Sequence, residues 1–206
     1  LIFGHQYFLA LGDNLVFAEQ YQYLTTVQAE LVYKEFLTIP TLKLFHWMVE
    51  NYYTTYKSVV RLFVTNLLEK LLERESKIKF LKHKKYDVNS KFMMEKEGQT
   101  LIVFPDLWTM FNSTSEQFRE SNGVACLLSS DTEKQKDVHR WEIKKMKSVI
   151  VCTYAEIFQD FYDLKKIIFV DPHKRYYANQ QDPRYKVGDV LTKMGELHSA
   201  LEIINI

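Results

Sequence analysis

From Gly98 onward the chain repeats one alternation, a short run of buried-type residues followed by a stretch long enough for a helix. The runs are TLIVF at 100–104, VACLL at 124–128, SVIVC at 148–152, KIIFV at 166–170 and LEIINI at 201–206. Continuous apolar runs of this length suit strands covered on both faces. Helices are expected between them over 107–121, 154–161 and 187–198. A further helix is expected to open at Ser130, Asp131, Thr132 and Glu133, a capping-box pattern, and to run to about Lys147. Strands alternating with helices imply an α/β fold, three layers built on a mostly parallel sheet. Ligands of such sheets sit at the C-terminal ends of the strands. That places Pro105, Asp106, Ser129, Thr153 and Asp171 along one edge.

The residues before Gly98 read differently. Residues 1–34 mix aromatic and β-branched residues with polar ones, and suit short strands or mixed structure with a turn at Gly12, Asp13 and Asn14. Residues 40–72 carry apolar residues at three- and four-residue steps, from Leu44, Phe45 and Met48 to Leu67 and Leu71, the period of helices. Pro40 and Thr41 make a start for them. Residues 73–97 are charged, with Lys77, Lys79, Lys82, His83, Lys84 and Lys85 in one basic cluster that suits a solvated linker or a phosphate contact. The organisation expected is a small N-terminal region over 1–72, a basic linker over 73–97 and the α/β unit over 98–206.

Composition narrows the function. A chain of 206 residues, 47% hydrophobic and 26% charged, has material for a packed core, and a net charge of +1 leaves any basic surface local. No apolar stretch approaches the ~20 residues of a membrane span, and a reducing cytoplasm is expected. Cys126 and Cys152 each lie in an apolar run and read as buried free thiols rather than a disulfide or a metal site. The six glycines form no G-x-G, and none precedes a lysine. A phosphate-binding loop of the usual kind needs residues without a Cβ where the backbone approaches the phosphates, and none is supplied.

Five segments carry a resemblance. IVCTYAEIFQDFYDLKKIIFVDP is similar to IVIGTRSALFAPFxNLGLIIVDEEH, a motif of the replication-restart DNA helicase family, primosomal protein N′ (PriA). HKRYYANQQDPRYKVGDVL resembles that family's HDxSYKQxxxPRYHARDVA once one residue of its Asp-Glu-Glu-His box is deleted. TLIVFPDLWTMF resembles LVLVPEIALTPQ, VACLLSSDTEKQKDVHRW resembles VAVLHSGLSxxERxxEW, and LKLFHWMVENYYTTYKSVVRLFV resembles LLELARWVADYYLAPLGEVLRLAL at the end of the family's DNA-binding domain. The segments keep the family's order and span roughly 110 residues. The resemblance implies a RecA-like first helicase lobe of the P-loop NTPase kind, with ATP, Mg²⁺ and zinc as the family's cofactors.

The departures fall on the chemistry. FLKHKKYDVNSKF stands where the family has its phosphate loop. Asp171 aligns with the metal-binding Asp of the box, but Pro172 and His173 follow, and the Glu that orients water is absent. Tyr154 replaces an Arg, as does Gly188, while Asp189 remains. There is no room for a winged-helix domain, and two cysteines cannot form the family's zinc cluster. Phosphoryl transfer is mostly positioning and charge neutralisation, so losing these groups together implies a lobe without ATP hydrolysis.

DNA contact needs less. The resemblance implies contacts from Thr109 and Thr153, and a structural or DNA-facing role for Arg184 and Tyr185. Lys79, Lys82, Lys84 and Lys85 could add phosphate contacts, which need only charge. Trp47, Tyr52 and Tyr53 could stack bases, although their helical spacing suits core packing better. The expected activity is binding of forked or single-stranded DNA, or of a replication-restart protein. Two alternatives stand beside it. One is an α/β enzyme of another class with Asp106, Asp171 and His173 converging under a lid formed by 172–186. The other is a truncated part of an ATP-dependent helicase.

Overall fold

The computed structural model describes residues 2–3, 6–7, 37–63, 98–145, 147–175, 177–198 and 202–206. The chain divides into two compact units, Leu1–Phe36 and Leu37–Ile206. In the first, β1 (Ile2–Phe3) pairs antiparallel with β2 (Gln6–Tyr7). The turn expected at Gly12, the end of the helical region and the basic cluster of 77–85 lie outside the described residues, as do the boundaries drawn at 72 and 97.

The second unit is an α/β, RecA-like lobe. Its sheet holds β3 (Gln99–Phe104), β4 (Val124–Leu127), β5 (Val149–Thr153), β6 (Leu164–Phe169) and β7 (Glu202–Asn205) in the order β4-β5-β3-β6-β7. All four pairings are parallel. Ile102, Phe104, Val124, Val149, Val151, Ile168 and Val170 form one core layer with Leu107, Met110 and Phe118. The alternate residues Leu101, Val103, Ala125, Leu127, Ile150, Cys152 and Ile167 are also buried. Successive strand residues point to opposite faces, so β3 to β6 are covered on both faces, as their continuous apolar runs require, whereas the edge strand β7 is largely exposed.

The elements around the sheet differ from expectation in three places. The helix expected over 107–121 is two, α3 (Leu107–Ser113) and α4 (Glu116–Arg119). Thr114 separates them in extended backbone, its hydroxyl bonded to the Met110 carbonyl at 2.7 Å. Ser115 then caps α4 by accepting from the Phe118 amide. The capping box lies two residues further on than expected. The Gln135 side chain accepts from the Thr132 amide at 2.9 Å, and α5 runs over Glu133–Lys145. The helix expected over 154–161 is a single 3₁₀ turn, Tyr154–Glu156. Ile157, Phe158 and Phe161 continue in irregular backbone and bury all three side chains.

Helix α1 (Ile39–Asn51) starts with Pro at its first turn, where a missing amide costs nothing, and α2 (Tyr56–Phe63) follows after a short turn. Both belong to the same compact unit as the sheet. Phe63 meets Phe158 edge-on at 5.3 Å, and Phe158 meets Tyr185 at 5.1 Å. Helix α6 (Val187–Leu197) packs beside α1 and against β7. Among the described residues no helix is long and apolar enough to cross a membrane.

Candidate functional site

Strand order locates the crevice of this sheet. The chain leaves β3 toward β4 on one side and leaves β6 toward β7 on the other. Connections that diverge from neighbouring strands open a crevice at their C-terminal ends, where such folds bind ligands. Here Tyr177 stands in it. Its buried hydroxyl donates to the Val170 carbonyl, just past β6, and faces the Val103 carbonyl of β3 at 3.3 Å. Its ring packs on Phe169 at 4.4 Å and edge-on to Tyr154 at 6.3 Å. Burial pushes the Tyr177 hydroxyl well above its ordinary pKa, and the nearby carboxylates of Asp171 and Asp106 push the same way. The hydroxyl stays protonated and stays a donor.

The segment carrying Tyr177 is fixed by its own backbone. The Val187 amide donates to the Tyr177 carbonyl at 2.9 Å and the Asn179 amide to the Tyr185 carbonyl at 2.8 Å. The Asn179 side chain also donates to the Pro183 carbonyl at 2.9 Å.

The expected site residues distribute as follows. Asp106 is the N-cap of α3 and accepts from the Thr109 amide at 2.7 Å, so the carboxylate and Thr109 serve the helix start. Thr153 ends β5 and is buried. Asp171 sits in left-handed backbone at φ 48°, uncommon for a residue with a Cβ, and its amide donates to the Ile206 carbonyl at 2.7 Å. Asp171, His173, Lys174 and Arg175 are exposed. Arg184 is exposed, whereas Tyr185 is buried between Phe158 and Tyr52. A side chain buried like Tyr185 or Thr153 offers no surface to a ligand and reads as structural. Lys79, Lys82, Lys84 and Lys85 lie outside the described residues.

No family model and no curated protein matches this chain. The site therefore rests on geometry alone. Asp106 and Asp171 are brought to the same crevice, where both act on the Tyr177 hydroxyl. His173 does not complete a metal centre with them. Among the described residues no group of three or more His, Cys, Asp or Glu side chains could hold an ion. Cys126 and Cys152 are free thiols, Cys152 buried as expected and Cys126 only half-buried; desolvation pushes Cys126 up to about 11 and Cys152 well above the ordinary value.

Two residues escaped sequence reasoning. Tyr177 lies in the polar loop that follows the strand, and no spacing marks a loop tyrosine as a buried plug. Trp108 stands one position from Thr109 and is 76% exposed, with Phe111 beside it on α3. Its exposure could have been found only by knowing that α3 turns Met110 inward.

Proposed function

We propose that this chain is a lobe of replication-restart-helicase descent that binds DNA and does not hydrolyse ATP. The observation that carries the negative half is Tyr177. A phenol bonded across the carbonyl ends of β3 and β6 occupies the crevice in which a nucleotide or substrate would be held. The box at Asp171 lacks its Glu, and no phosphate loop precedes the sheet in sequence. The positive half is supported by the five ordered segments of resemblance and by the exposed Trp108, Lys174 and Arg175 near the C-terminal ends of the strands. Aromatic and cationic groups are what a single strand needs. Free thiols suit the cytoplasm, where such a protein would act.

The enzyme alternative gains less. Asp106 is committed to a helix cap, His173 joins no ligand cluster among the described residues, and the loop of 172–186 plugs the crevice with Tyr177.

Two titrations test the proposal. A fluorescent ATP analogue should show no saturable binding below millimolar concentration, and fork DNA should bind with an affinity that falls as salt rises. Micromolar nucleotide binding, or weak DNA binding indifferent to fork structure, would overturn it.

A further inference from the structure

The two edges of the sheet are protected unequally. At one edge β4 is buried at three of its four positions, whereas at the other β7 is exposed at three of four. Ile203 is 36% exposed, and Ile206, which continues the strand, is 44% exposed. An open edge is a template for pairing, and natural sheets blunt theirs with lysine, proline or a bulge. The stretch Glu202–Ile206, EIINI, holds neither lysine nor proline, and its pairing with β6 runs without a register shift.

Hydrogen bonding fixes which groups face outward. The Ile206 amide donates to the Phe169 carbonyl at 3.1 Å, and the Asp171 amide donates to the Ile206 carbonyl at 2.7 Å. Both main-chain groups of Ile206 therefore point toward β6. Successive strand residues turn these groups to opposite sides, so Glu202 and Ile204 point inward with Ile206. Ile203 and Asn205 point outward. Because β7 ends the strand order, no strand among the described residues takes their amides and carbonyls. Side chains alternate as well: Ile203 and Asn205 share one face, and Glu202, Ile204 and Ile206 share the other.

We propose that β7 pairs antiparallel with β7 of a second copy of this chain, joining two lobes into one continuous sheet. In such a pair the two-fold axis runs through the sheet, so opposite residues share a face and outward groups meet outward groups. Both conditions hold with the axis at Ile204. Ile203 then lies opposite Asn205 of the second copy and exchanges two hydrogen bonds with it, and symmetry repeats the pair. Ile204 meets its own counterpart, and Glu202 lies opposite Ile206 of the second copy. Glu202 is already paired with Lys166 at 3.1 Å, so its charge is neutralised and no carboxylate faces its own copy. The stretch is thus its own complement in hydrogen bonding and in charge, which favours a second copy over a foreign strand. The strands of the two copies run in opposite directions, so the two crevices face opposite ways.

Sedimentation velocity of the full chain tests the pairing. A contact this small should give a monomer–dimer equilibrium between about 1 and 300 μM. Asn205→Pro removes an outward donor and leaves the β6–β7 ladder whole. It should weaken the dimer about 5- to 100-fold, because symmetry deletes two hydrogen bonds at once. Its melting temperature at low concentration should stay within about 2 °C of wild type. Amide exchange of the wild type gives a readout that needs no variant. Raising the concentration should slow exchange at Ile203 and Asn205 and change Ile204 and Ile206 little. A chain still monomeric at the top concentration would overturn the inference, as would a dimer that Asn205→Pro leaves intact. Ile203 and Asn205 amides already slow in the monomer would also overturn it, since the edge would then be paired within the chain.

Discussion

Gln99 shows how much one side chain can hold. It opens β3, is fully buried, and uses every polar atom of its amide. The Nε2 group donates to the Ile143 and Lys147 carbonyls, each at 2.8 Å, and Oε1 accepts from the Asp163 amide at 3.1 Å. One residue thus fastens the end of α5 and the entry to β6 to the start of the central strand. Gln99→Leu keeps the volume but leaves two carbonyls and an amide unsatisfied in the interior. It should cost about 2–4 kcal/mol in urea unfolding, and a loss under ~1 kcal/mol would mean water replaces the amide. Gly98, beside it, has φ 81°, and an added Cβ would lie 2.4 Å from the Lys165 side chain and 2.9 Å from the Asp163 carbonyl. Gly98→Ala should destabilise by about 1–3 kcal/mol through both strain and contact. The thiols give a third test. With burial raising Cys126 to about 11, roughly one molecule in a thousand carries the thiolate at pH 8. Cys152, fully buried, should react with a thiol reagent only as fast as the protein unfolds, whereas half-buried Cys126 should react slowly from the native state because little of it is thiolate; rapid labelling of Cys152 in native protein would contradict its burial.

At the scale of elements, a carboxylate in a loop supplies one of the ties between the helical hairpin and the α/β layer, beside the packing of Phe63 on Phe158. Asp160 accepts from the Thr38 amide at 3.0 Å and from the Thr38 hydroxyl at 2.7 Å, which fixes the start of α1. Its other oxygen pairs with Lys144 of α5 at 2.7 Å, and both side chains are largely buried. Asp160→Ala removes the anchor of α1 and the largely buried ion pair to Lys144. It should cost about 2–4 kcal/mol and raise amide exchange in α1 before α5, whereas uniform exchange through both would place the anchor elsewhere. This clamp also explains why the sequence misled at 154–161. Ile157, Phe158 and Phe161 have near-helical spacing, but Asp160 and Gln159 spend their side chains on tertiary and local bonds that a helix would redirect. The strands were easier. Each of the five apolar runs marks its strand to within two residues; for β3 to β6 a buried strand leaves no other use for such a run, whereas β7, at the edge of the sheet, is largely exposed. The break in 107–121 was also written there, in Thr114-Ser115, a pair that competes for backbone groups and favours caps. The crevice was not, because Tyr177 closes it from a loop whose path depends on the whole fold.

At the scale of the molecule, the lobe is a sheet whose strands β3 to β6 are covered on both faces, and titratable groups lie in the seams between layers. His198 ends α6, where its amide donates to the Met194 carbonyl at 3.0 Å and its ring meets Phe161 edge-on at 6.4 Å. Burial lowers its pKa below the ordinary 6.5; Asp163 and Asp160 oppose the shift, and Lys165 adds to it. The sign follows from proton counting. A folded-state pKa below the unfolded one means that the unfolded chain binds more protons as pH falls through 6.5 and below. The stability associated with neutral His198 is therefore complete above its unfolded pKa and is lost as pH drops toward the folded value. Wild-type protein should lose stability between pH 7.5 and 5.5, measured by urea midpoint. His198→Gln, which cannot take up a proton, should lose less over the same interval, whatever its stability at pH 7.5. If the two pH profiles run parallel, burial of His198 does not set the acid sensitivity of the seam between α6 and the loop that carries Phe161.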